Sequence, residues 1–414
     1  MSTEIERIVI AGAGQAGVQA ALSLRIEGFA GKIALVGDEA FLPYQRPPLS
    51  KAYLKGSVTC DALQIAKPAL LAERNIDLHL GEAVSGIDRE KKCLLLAQGK
   101  ALPYDRLILA TGTRSRPLSI PGANLPGVVM LRTVTDADRL ARLLGGARQI
   151  AIIGGGVIGL EFAAVARELD KQVIVIEASS RVMMRAVSPE ISNFFEKTHR
   201  DKGATVICNE GVSEIVSENN QLKGIRLASG KEFPADLVMI GVGALPNCGI
   251  AEAAGLAVED GILVNDALQT SDPHIFAIGD CCRVGADGGR YLTRIESVQN
   301  ATDQGRHAAY VIMKAPSPYK AVPWFWSDQY EYKLQMAGLI FEADTQIIKG
   351  SPADGKFSVF SFKSGVFIGS ESVNSPLDHV LTRKALNENI ALSPDYLSDA
   401  TVSIKQAIEA ATAT

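Results

Sequence analysis

The sequence has few of the features that mark a membrane protein, a secreted disulfide framework or a metal site. Its six cysteines include no C-x-x-C pair, and its five histidines are scattered without a ligand spacing. No apolar run approaches the roughly 18 residues needed to span a bilayer. Residues 1–4 lack the basic and apolar blocks of a signal peptide. These absences predict reduced thiols, no protein-bound metal, no membrane association and a cytoplasmic protein.

Charge of either sign is also modest. The net charge of −4 over 414 residues is too small to indicate a nucleic-acid partner. With 47% apolar and 21% charged residues, the composition is that of a globular protein with ample core. The adjacent Cys281 and Cys282 would form a strained disulfide, so core packing is favoured over a redox role.

The chain is organised around residues 8–17, an apolar run that ends in Gly12-Ala13-Gly14-Gln15-Ala16-Gly17. At the end of a strand, Gly12 would make the tight turn and Gly14 would let a pyrophosphate approach the next helix, predicted over 15–27. Alone, this pattern is weak evidence, because glycine turns have many uses. The small residues of the helix are expected to face the sheet: Ala16, Ala20 and Ala21.

The same pattern returns at residues 150–159, before a helix predicted over 160–169. The next predicted strand, 173–176, ends in Glu177, where dinucleotide folds place an acid on a ribose hydroxyl. The first unit has a looser equivalent, because its strand 33–36 is followed by Gly37 and then by the acidic pair 38–39. Two such units predict two dinucleotides bound side by side, rather than two chance glycine turns.

The order of the remaining predicted elements gives the fold class: α/β, with one Rossmann-like dinucleotide-binding domain inserted in another, plus a C-terminal α+β domain with an antiparallel sheet. Runs such as 357–362 alternate apolar and polar residues, as antiparallel strands with one covered face do, and 402–411 is a plausible closing helix. The predicted boundaries are 1–112 with 248–322 for the outer domain, 113–247 for the inserted one and 323–414 for the last.

A proline-stiffened loop, 41–51, follows the first unit and carries Tyr44, Arg46 and Lys51. Such a loop can hold charge against a ligand at a small ordering cost. The alternative is a surface turn with solvated charges.

Together these motifs resemble the two-dinucleotide flavoprotein reductases. Within them they resemble the bacterial ferredoxin reductases of the putidaredoxin reductase type, which serve cytochrome P450 and ring-hydroxylating dioxygenase systems. The resemblance covers nearly the whole chain and rests on eight segments: 12–17, 46–51, 110–112, 154–161, 270–273, 279–280, 295–298 and 324–329. It implies FAD in the outer domain, NADH in the inserted domain, a [2Fe-2S] ferredoxin as electron acceptor, and indirectly a cytochrome P450 or ring-hydroxylating oxygenase.

The resemblance also implies roles for individual residues. The FAD-binding residues would be Gly12, Gly14, Ala16, Gly17, Asp38, Arg46, Lys51, Val84, Thr111, Gly112, Arg132, Asp280, Val298 and Trp326. The NADH-binding residues would be Gly154, Gly156, Ile158, Gly159, Glu161, Glu177 and Gly243. Lys51, Glu161 and Trp326 would be catalytic, with Lys51 stabilising negative charge on the flavin and Glu161 pairing with Lys51 beside the nicotinamide. Which of Asp38 and Glu39 contacts the FAD ribose stays open.

Other functions and other roles are weighed against these. A disulfide reductase needs a cysteine pair after the first glycine motif, where this chain has Gln45-Arg46-Pro47-Pro48. An NADH oxidase and an NADH-responsive flavoprotein of the apoptosis-inducing kind stay open. Glu161 has the alternative of a solvated helix residue, Trp326 of a core aromatic and Asp280 of a turn former.

Two sets of cations bear on partner and cofactor choice. A patch that docks an acidic ferredoxin is expected from Arg294, Arg306, His307 and Lys333, against the alternative of scattered solvated charges. Glu177 predicts a preference for NADH over NADPH, whereas Arg181 and Arg185 are a counter-signal, because either can accept a 2′-phosphate.

Overall fold

The computed structural model describes residues 5–285 and 294–413. Residues 1–4, on which the expectation about a signal peptide rests, lie outside the described part. The chain divides into two compact units. The first unit consists of Met1–Gln45, Thr59–Arg114 and Ala244–Ala321, and the second of Arg46–Val58, Ser115–Gly243 and Val322–Thr414.

The strands of the described chain are short and occur along its whole length. They are β1 (Arg7–Ala11), β2 (Lys32–Gly37), β3 (Ile76–Leu80), β4 (Val84–Asp88), β5 (Cys93–Leu96), β6 (Ala101–Pro103), β7 (Arg106–Leu109), β8 (Thr113–Ser115), β9 (Val128–Val129), β10 (Gln149–Ile153), β11 (Gln172–Ile176), β12 (Thr205–Ile207), β13 (Val212–Glu218), β14 (Gln221–Leu227), β15 (Glu232–Pro234), β16 (Leu237–Ile240), β17 (Ala244–Pro246), β18 (Ile262–Val264), β19 (Ile275–Ala277), β20 (Cys282–Val284), β21 (Trp324–Gln329), β22 (Tyr332–Gly338), β23 (Thr345–Ser351), β24 (Lys356–Lys363) and β25 (Val366–Val373).

The α-helices alternate with strands in the first three quarters of the chain and gather at its end. They are α1 (Gln15–Ile26), α2 (Pro68–Glu73), α3 (Val134–Gly146), α4 (Val157–Glu168), α5 (Pro189–Asp201), α6 (Gly249–Ala253), α7 (Val298–Met313), α8 (Pro376–Asn387), α9 (Pro394–Ser398) and α10 (Ile404–Thr412). Single 3₁₀ turns cover Pro47–Ser50, Cys60–Leu63, Gly279–Cys281 and Pro352–Asp354. None of the described helices has the length and apolar character that crossing a membrane requires.

The first unit is built on a parallel sheet with the strand order β19-β7-β1-β2-β3. Its central strand pairs with neighbours on both sides, Ile8 lying opposite Ile33 of β2 and Arg106 of β7. Burial on both faces explains the continuous apolar run of β1. Because β19 comes late in the chain and still joins this sheet, the predicted insertion of one dinucleotide domain in the other is confirmed.

Helix α1 packs closely on α7, which corrects the expectation that its small residues serve only the sheet. A Cβ added to Gly305 of α7 would lie 2.8 Å from the Ala16 carbonyl oxygen and 3.0 Å from the Ala20 amide nitrogen. Small residues are needed here because two helix backbones meet. This packing could not be predicted from the local pattern, because the partner helix lies far along the chain.

The second unit contains a matching parallel sheet with the order β12-β11-β10-β16-β9. Helix α4 follows its central strand and begins at Val157, so the predicted start at residue 160 is wrong. Gly156 is the N-cap, and the glycine turn is therefore shorter than expected. The helix N-terminus consequently lies directly at the third glycine of the motif.

The predicted C-terminal antiparallel sheet is present, with the order β21-β22-β25-β24-β23, and so is the closing helix, α10. The alternation in β24 does not mark one covered and one exposed face, however, because Ser358 and Ser361 are as buried as their apolar neighbours. Ser358 donates to Asp378 of α8 at 2.8 Å. Strand β24 is therefore covered on both faces, and its two serines are hydrogen-bonded inside the domain.

Candidate dinucleotide sites and the Lys51–Glu161 pair

The first glycine motif forms a turn that excludes side chains. Gly12 has φ 122°, and a Cβ there would lie 2.1 Å from the Ala110 carbonyl oxygen. A Cβ on Gly17 would lie 1.9 Å from the Gly12 carbonyl oxygen. At Gly14, by contrast, a Cβ would meet no atom within 4 Å, and this N-cap of α1 has no side-chain cap. The open space at Gly14 and the uncapped amides at the start of α1 fit a pyrophosphate.

Several predicted residues of the first unit gather at this turn. A Cβ on Gly279 would lie 3.0 Å from the Ala16 Cβ, which places the Gly279–Asp280 turn beside α1. Thr111 donates to the Asn247 carbonyl at 2.7 Å and thereby fixes the segment after β7. Gly112 follows with φ 62°.

Three other predicted residues of this unit lie on separate elements. Val84 begins β4 in the small antiparallel sheet, and Val298 is the first residue of α7. Asp38 is exposed just after β2, whereas Glu39 accepts a hydrogen bond from the Tyr44 hydroxyl. The Glu39 carboxylate is thus already engaged, and Asp38 is the better candidate for a ribose contact.

The second glycine motif, in the second unit, repeats the same geometry. A Cβ on Gly154 (φ 109°) would lie 2.4 Å from the Gly241 carbonyl oxygen, and a Cβ on Gly159 2.2 Å from that of Gly154. Gly156 faces open space, where a Cβ would meet only the Gly241 oxygen, at 4.0 Å. Ile158, in the first turn of α4, is exposed. This cradle also fits a dinucleotide phosphate.

Glu177 lies at the end of β11, against the second glycine turn. Its carboxylate accepts from the Gly155 amide at 2.8 Å and from the Ser179 amide at 2.7 Å. Arg181 donates to the carbonyls of Val187 and Met184, so its guanidinium is tied to backbone. Arg185 is exposed, and a Cβ on Gly243 would lie 3.0 Å from its guanidinium. The counter-signal for a 2′-phosphate is thereby reduced to Arg185.

Glu161 is not a solvated helix residue, because its side chain is only 4% exposed. Lys51 Nζ lies 2.7 Å from Glu161 Oε2, and the Ser50 hydroxyl donates to the same oxygen at 2.6 Å. The Ser327 hydroxyl donates to Oε1 at 2.7 Å. One cation and two hydroxyls offset the desolvation of this carboxylate. Removing Lys51 would leave the buried charge uncompensated, at a cost of about 3–5 kcal/mol.

The proline loop supplies half of this arrangement. Ser50 closes the 3₁₀ turn that Pro47 and Pro48 begin, and Lys51 follows it. Arg46, just before the turn, donates to the Arg132 carbonyl at 2.8 Å, and the Arg132 amide donates to Asp136. The predicted residues Arg46, Lys51, Arg132 and Glu161 therefore share one region of the second unit.

Trp326 lies on the outermost strand of the C-terminal sheet and is half-buried, which argues against a purely core role. Its ring centroid lies 5.6 Å from that of Trp324. Trp324 in turn stacks under the Arg383 guanidinium, 4.7 Å from the ring centroid. The neighbouring aromatic and α8 thus support Trp326 from one side.

The expected docking patch is wrong for two of its four cations. Arg294 is only 10% exposed and pairs with Asp260 and Glu296. His307 is half-buried and hydrogen-bonds to the Ser317 carbonyl, and burial lowers its pKa. Arg306 is 61% exposed, and Lys333 is exposed too. A sequence pattern cannot tell an ion pair from a free charge.

The cysteines take the structural role expected of the adjacent pair. Cys281 and Cys282 lie in the core of the first unit together with Cys248. Burial raises the pKa of all three thiols, that of Cys248 to about 11. Within residues 5–285 and 294–413, no group of three or more His, Cys, Asp or Glu side chains could hold a metal.

The sequence predictions missed four buried polar residues around Glu161: Ser50, Ser327, Gln329 and His199. Ser50 and Ser327 lie within the segments 46–51 and 324–329, in which only Arg46, Lys51 and Trp326 were predicted to have a role. The strand reads Trp324-Phe325-Trp326-Ser327-Asp328-Gln329, and its three consecutive polar residues do not indicate by pattern that Ser327 and Gln329 are the buried ones.

Comparison with known proteins identifies two family models, one for the part with the glycine motifs and one for the C-terminal part. The chain matches the family model for pyridine nucleotide-disulphide oxidoreductases over residues 6–305 and the reductase C-terminal model over residues 324–408. It is 44% identical to rhodocoxin reductase of Rhodococcus erythropolis over 97% of this chain and 94% of that one. It is 39% identical to putidaredoxin reductase of Pseudomonas putida over 99% and 98%.

Solved structures give the same result. The ferredoxin reductase for the CYP199A2 system from Rhodopseudomonas palustris superposes with a TM-score of 0.95 at 44% identity, over 97% of this chain and 100% of that one. The reductase in a covalent putidaredoxin reductase–putidaredoxin complex gives a TM-score of 0.95 at 39% identity, with 99% of each chain covered.

Proposed function

Since the chain belongs to the pyridine nucleotide-disulphide oxidoreductase family, and within it to the putidaredoxin-type ferredoxin reductases, we propose that it passes electrons from NADH through FAD to a small [2Fe-2S] ferredoxin. The observation that carries this proposal is the use of the loop after the first glycine motif. Disulfide reductases need a cysteine pair there, whereas this loop directs Lys51 to Glu161, 2.7 Å away. Electrons therefore have no internal disulfide to reduce and leave for an external carrier.

The two cofactors are assigned to separate cradles. Gly12, Gly14 and the start of α1 would hold the pyrophosphate of FAD, and Asp280 would accept from hydroxyls of the ribitol chain. Gly154, Gly156 and the start of α4 would hold NADH, and Glu177 would accept from its ribose. When bound, NADH supplies a pair of electrons, and FAD passes them singly to the carrier.

The protein's own contribution centres on the Lys51–Glu161 pair. Lys51 carries a fixed positive charge on a proline-stiffened turn and stabilises negative charge that develops nearby. Glu161 orients Lys51 and accepts from the carboxamide of the nicotinamide. Because Glu161 is buried, water is kept away from the Lys51–Glu161 pair, and the two charges act in a medium that screens them weakly.

The names of the relatives support the choice of partner, and the cytoplasmic setting is proposed with it. Their names refer to rhodocoxin, to putidaredoxin and to the p-cumate 2,3-dioxygenase system. The ferredoxin of this chain accordingly supplies a cytochrome P450 or a ring-hydroxylating dioxygenase, in the cytoplasm. The three-domain division at residues 112, 247 and 322 is part of the same proposal.

The test is NADH-dependent reduction of a panel of [2Fe-2S] ferredoxins, followed optically, with oxygen and disulfides as competing acceptors. Lys51→Met should slow reduction of the flavin by NADH by at least about tenfold, which corresponds to 1.4 kcal/mol. Lys55→Met is the matched control, because Lys55 lies four residues after Lys51 but pairs with the half-exposed Glu168.

The outcome separates the proposal from the two alternatives. Fast reduction of at least one ferredoxin with slow oxygen consumption supports the reductase. Oxygen consumption that no ferredoxin outcompetes would identify an NADH oxidase. Flavin reduction without efficient delivery to any acceptor would favour an NADH-responsive flavoprotein.

A further inference from the structure

A continuous line of buried hydrogen bonds runs from Glu161 to the surface of the second unit. Ser327 Oγ lies 2.7 Å from Glu161 Oε1, and Gln329 Nε2 lies 3.2 Å from Ser327 Oγ. His199 Nε2 lies 2.9 Å from Gln329 Oε1, and the Tyr330 hydroxyl lies 3.2 Å from His199 Nδ1. Ser327, Gln329 and His199 are completely buried.

The direction of each hydrogen bond in this line is determined by the groups themselves. Burial lowers the pKa of His199 to about 4, so its ring is neutral near pH 7 and carries a single N–H. The second Gln329 Nε2 proton points to Met183 Sδ at 3.7 Å, which leaves Oε1 to accept from His199 Nε2–H. His199 Nδ1 then accepts from Tyr330, whose hydroxyl keeps its proton because burial raises its pKa.

Every donor in the line therefore points toward Glu161. Tyr330 donates to His199, His199 to Gln329, Gln329 to Ser327, and Ser327 to the carboxylate. Hydrogen bonds aligned in this way polarise one another, so each donor strengthens the next hydrogen bond toward the carboxylate. Each donor on this line has an acceptor on the next residue toward Glu161. Burial of these described residues therefore leaves none of these donors unpaired.

The alternation of β21 places two of these residues on the face that Trp326 does not use. Successive side chains of a strand point to opposite sides, so Ser327 and Gln329 share one face while Trp326 and Asp328 share the other. The burial pattern agrees, because Ser327 and Gln329 are completely buried and Trp326 and Asp328 are not. The same strand thus presents polar donors to α4 and an aromatic ring on its opposite side.

We propose that Ser327, Gln329 and His199 are positioning residues that hold the Glu161 carboxylate for nucleotide binding, so that the C-terminal domain sets the affinity of the inserted domain for NAD. The inference rests on the proposed role of Glu161 beside the nicotinamide. It goes further because it gives a function to three residues that lie outside both glycine motifs. The carboxylate receives Lys51 and Ser50 on one oxygen and the line of donors on the other.

The experiment measures NAD⁺ binding to the purified FAD-loaded protein through the change in the flavin absorption spectrum. Ser327→Ala removes the donor to the carboxylate and should weaken NAD⁺ binding by about tenfold, the effect of one hydrogen bond to a charged group. Gln329→Met removes the next, neutral link and should weaken NAD⁺ binding by a smaller factor, about threefold. Ser327→Thr keeps the hydroxyl and should restore binding to within about threefold of the parent. The KM for NADH should rise in step with the dissociation constant of NAD⁺.

A matched control comes from the same sheet. Ser370 on β25 is as buried as Ser327 and exchanges a hydrogen bond of 2.7 Å with Thr382 Oγ1, away from Glu161. Ser370→Ala should leave NAD⁺ binding unchanged, while its thermal unfolding midpoint reports the cost of losing a buried hydroxyl. Equal weakening of NAD⁺ binding in Ser370→Ala and Ser327→Ala would overturn the inference, because a general loss of stability would then explain both.

A double-mutant cycle with Glu161→Gln tests whether Ser327 acts through Glu161. If it does, Ser327→Ala should change NAD⁺ binding less than about twofold once Glu161 has become glutamine. A full tenfold effect in that background overturns the inference and leaves the role of Glu161 intact. Parent-like NAD⁺ binding by Glu161→Gln alone overturns the role of Glu161 and the inference with it, whereas ferredoxin reduction by the parent still supports the proposed activity.

Discussion

Glu177 Oε2 accepts a hydrogen bond from the Gly155 amide at 2.8 Å. The second glycine motif thus fixes the side chain that ends the neighbouring strand, and the other carboxylate oxygen is held by the Ser179 amide. A carboxylate fixed by two backbone donors is in place before any nucleotide arrives. Its negative charge therefore favours a nucleotide with free ribose hydroxyls over one with a 2′-phosphate.

The parent protein should prefer NADH to NADPH, because the fixed Glu177 carboxylate accepts from ribose hydroxyls and repels a 2′-phosphate. Glu177→Ala should raise the ratio of kcat/KM for NADPH to that for NADH by at least about tenfold. Arg185→Ala is the companion variant, since Arg185 is the exposed cation beside Gly243. Comparable kcat/KM values for both nucleotides in the parent, lost in Arg185→Ala, would mean that Arg185 prevails.

Purified protein should be yellow and should release free FAD on heating. Asp280→Ala should hold FAD less firmly, because loss of an ionised acceptor for hydroxyls costs roughly 1.5–3 kcal/mol. Dialysis followed by fluorescence of the released flavin measures the retained fraction. Glu259→Ala is the control, since Glu259 is 72% exposed and pairs with Arg283 on the same unit. Equal retention by parent and Asp280→Ala would remove Asp280 from the site.

Electron transfer to an acidic ferredoxin should slow as salt rises beyond about 0.1 M, where the screening length falls below about 10 Å. Of the expected cations, Arg306 is the one to change, because it is 61% exposed and its contact with Asp303 is long, at 3.8 Å. Arg306→Glu should raise the apparent KM for ferredoxin and leave flavin reduction by NADH intact. Lys197→Glu, at a 76% exposed position on α5, is the control. If the rate of ferredoxin reduction changes neither with salt nor in Arg306→Glu, the surface around Arg306 is not the docking site.

Ionisation of one buried carboxyl, that of Glu371, should lower the free energy of unfolding as pH rises. Burial raises its pKa from 4.5 to about 7 in the folded state, with the Ser188 amide and the nearby Arg181 opposing the shift. The folded state therefore keeps a proton that the unfolded chain releases. This contribution is complete below pH 4.5 and is lost as pH rises through about 7.

Denaturant unfolding at several pH values measures this effect against Glu371→Gln, which cannot ionise. Between pH 4.5 and 8 the parent should lose up to about 3 kcal/mol of unfolding free energy relative to the variant. Glu342→Gln is the control, because Glu342 is 72% exposed and pairs with Lys363. Parallel curves for parent and Glu371→Gln would contradict the buried proton.

The sequence was sufficient for the two cradles, because their glycines act on backbone within a few residues. Gly12 and Gly154 each make the tight turn between a strand and the helix that follows it. Glu177 lies at the end of the next strand, at the usual distance from the glycines. The parallel sheets could be predicted for the same reason, since buried strands such as β1 and β10 are continuous apolar runs.

The pairing of Glu161 with Lys51 was expected from the family resemblance, but the two hydroxyl partners of Glu161 could not be predicted, because they are distant in sequence. Ser50 lies 111 residues away and Ser327 lies 166 residues away. Whether a helix glutamate is solvated or buried depends on which strand covers it. Arg294 shows the converse, since its cationic character was evident but its burial by Asp260 and Glu296 was not.

The alternation of β21 has a consequence for anyone who exchanges C-terminal domains between relatives. A graft that joins one residue too early or too late would turn Trp326 toward α4 and send Ser327 and Gln329 to the opposite side. The hybrid would keep its sheet, because backbone pairing tolerates the slip, and would lose both specialised faces together. The junction before Trp324 must therefore preserve the residue register of β21, even where the two sequences on either side of it are similar.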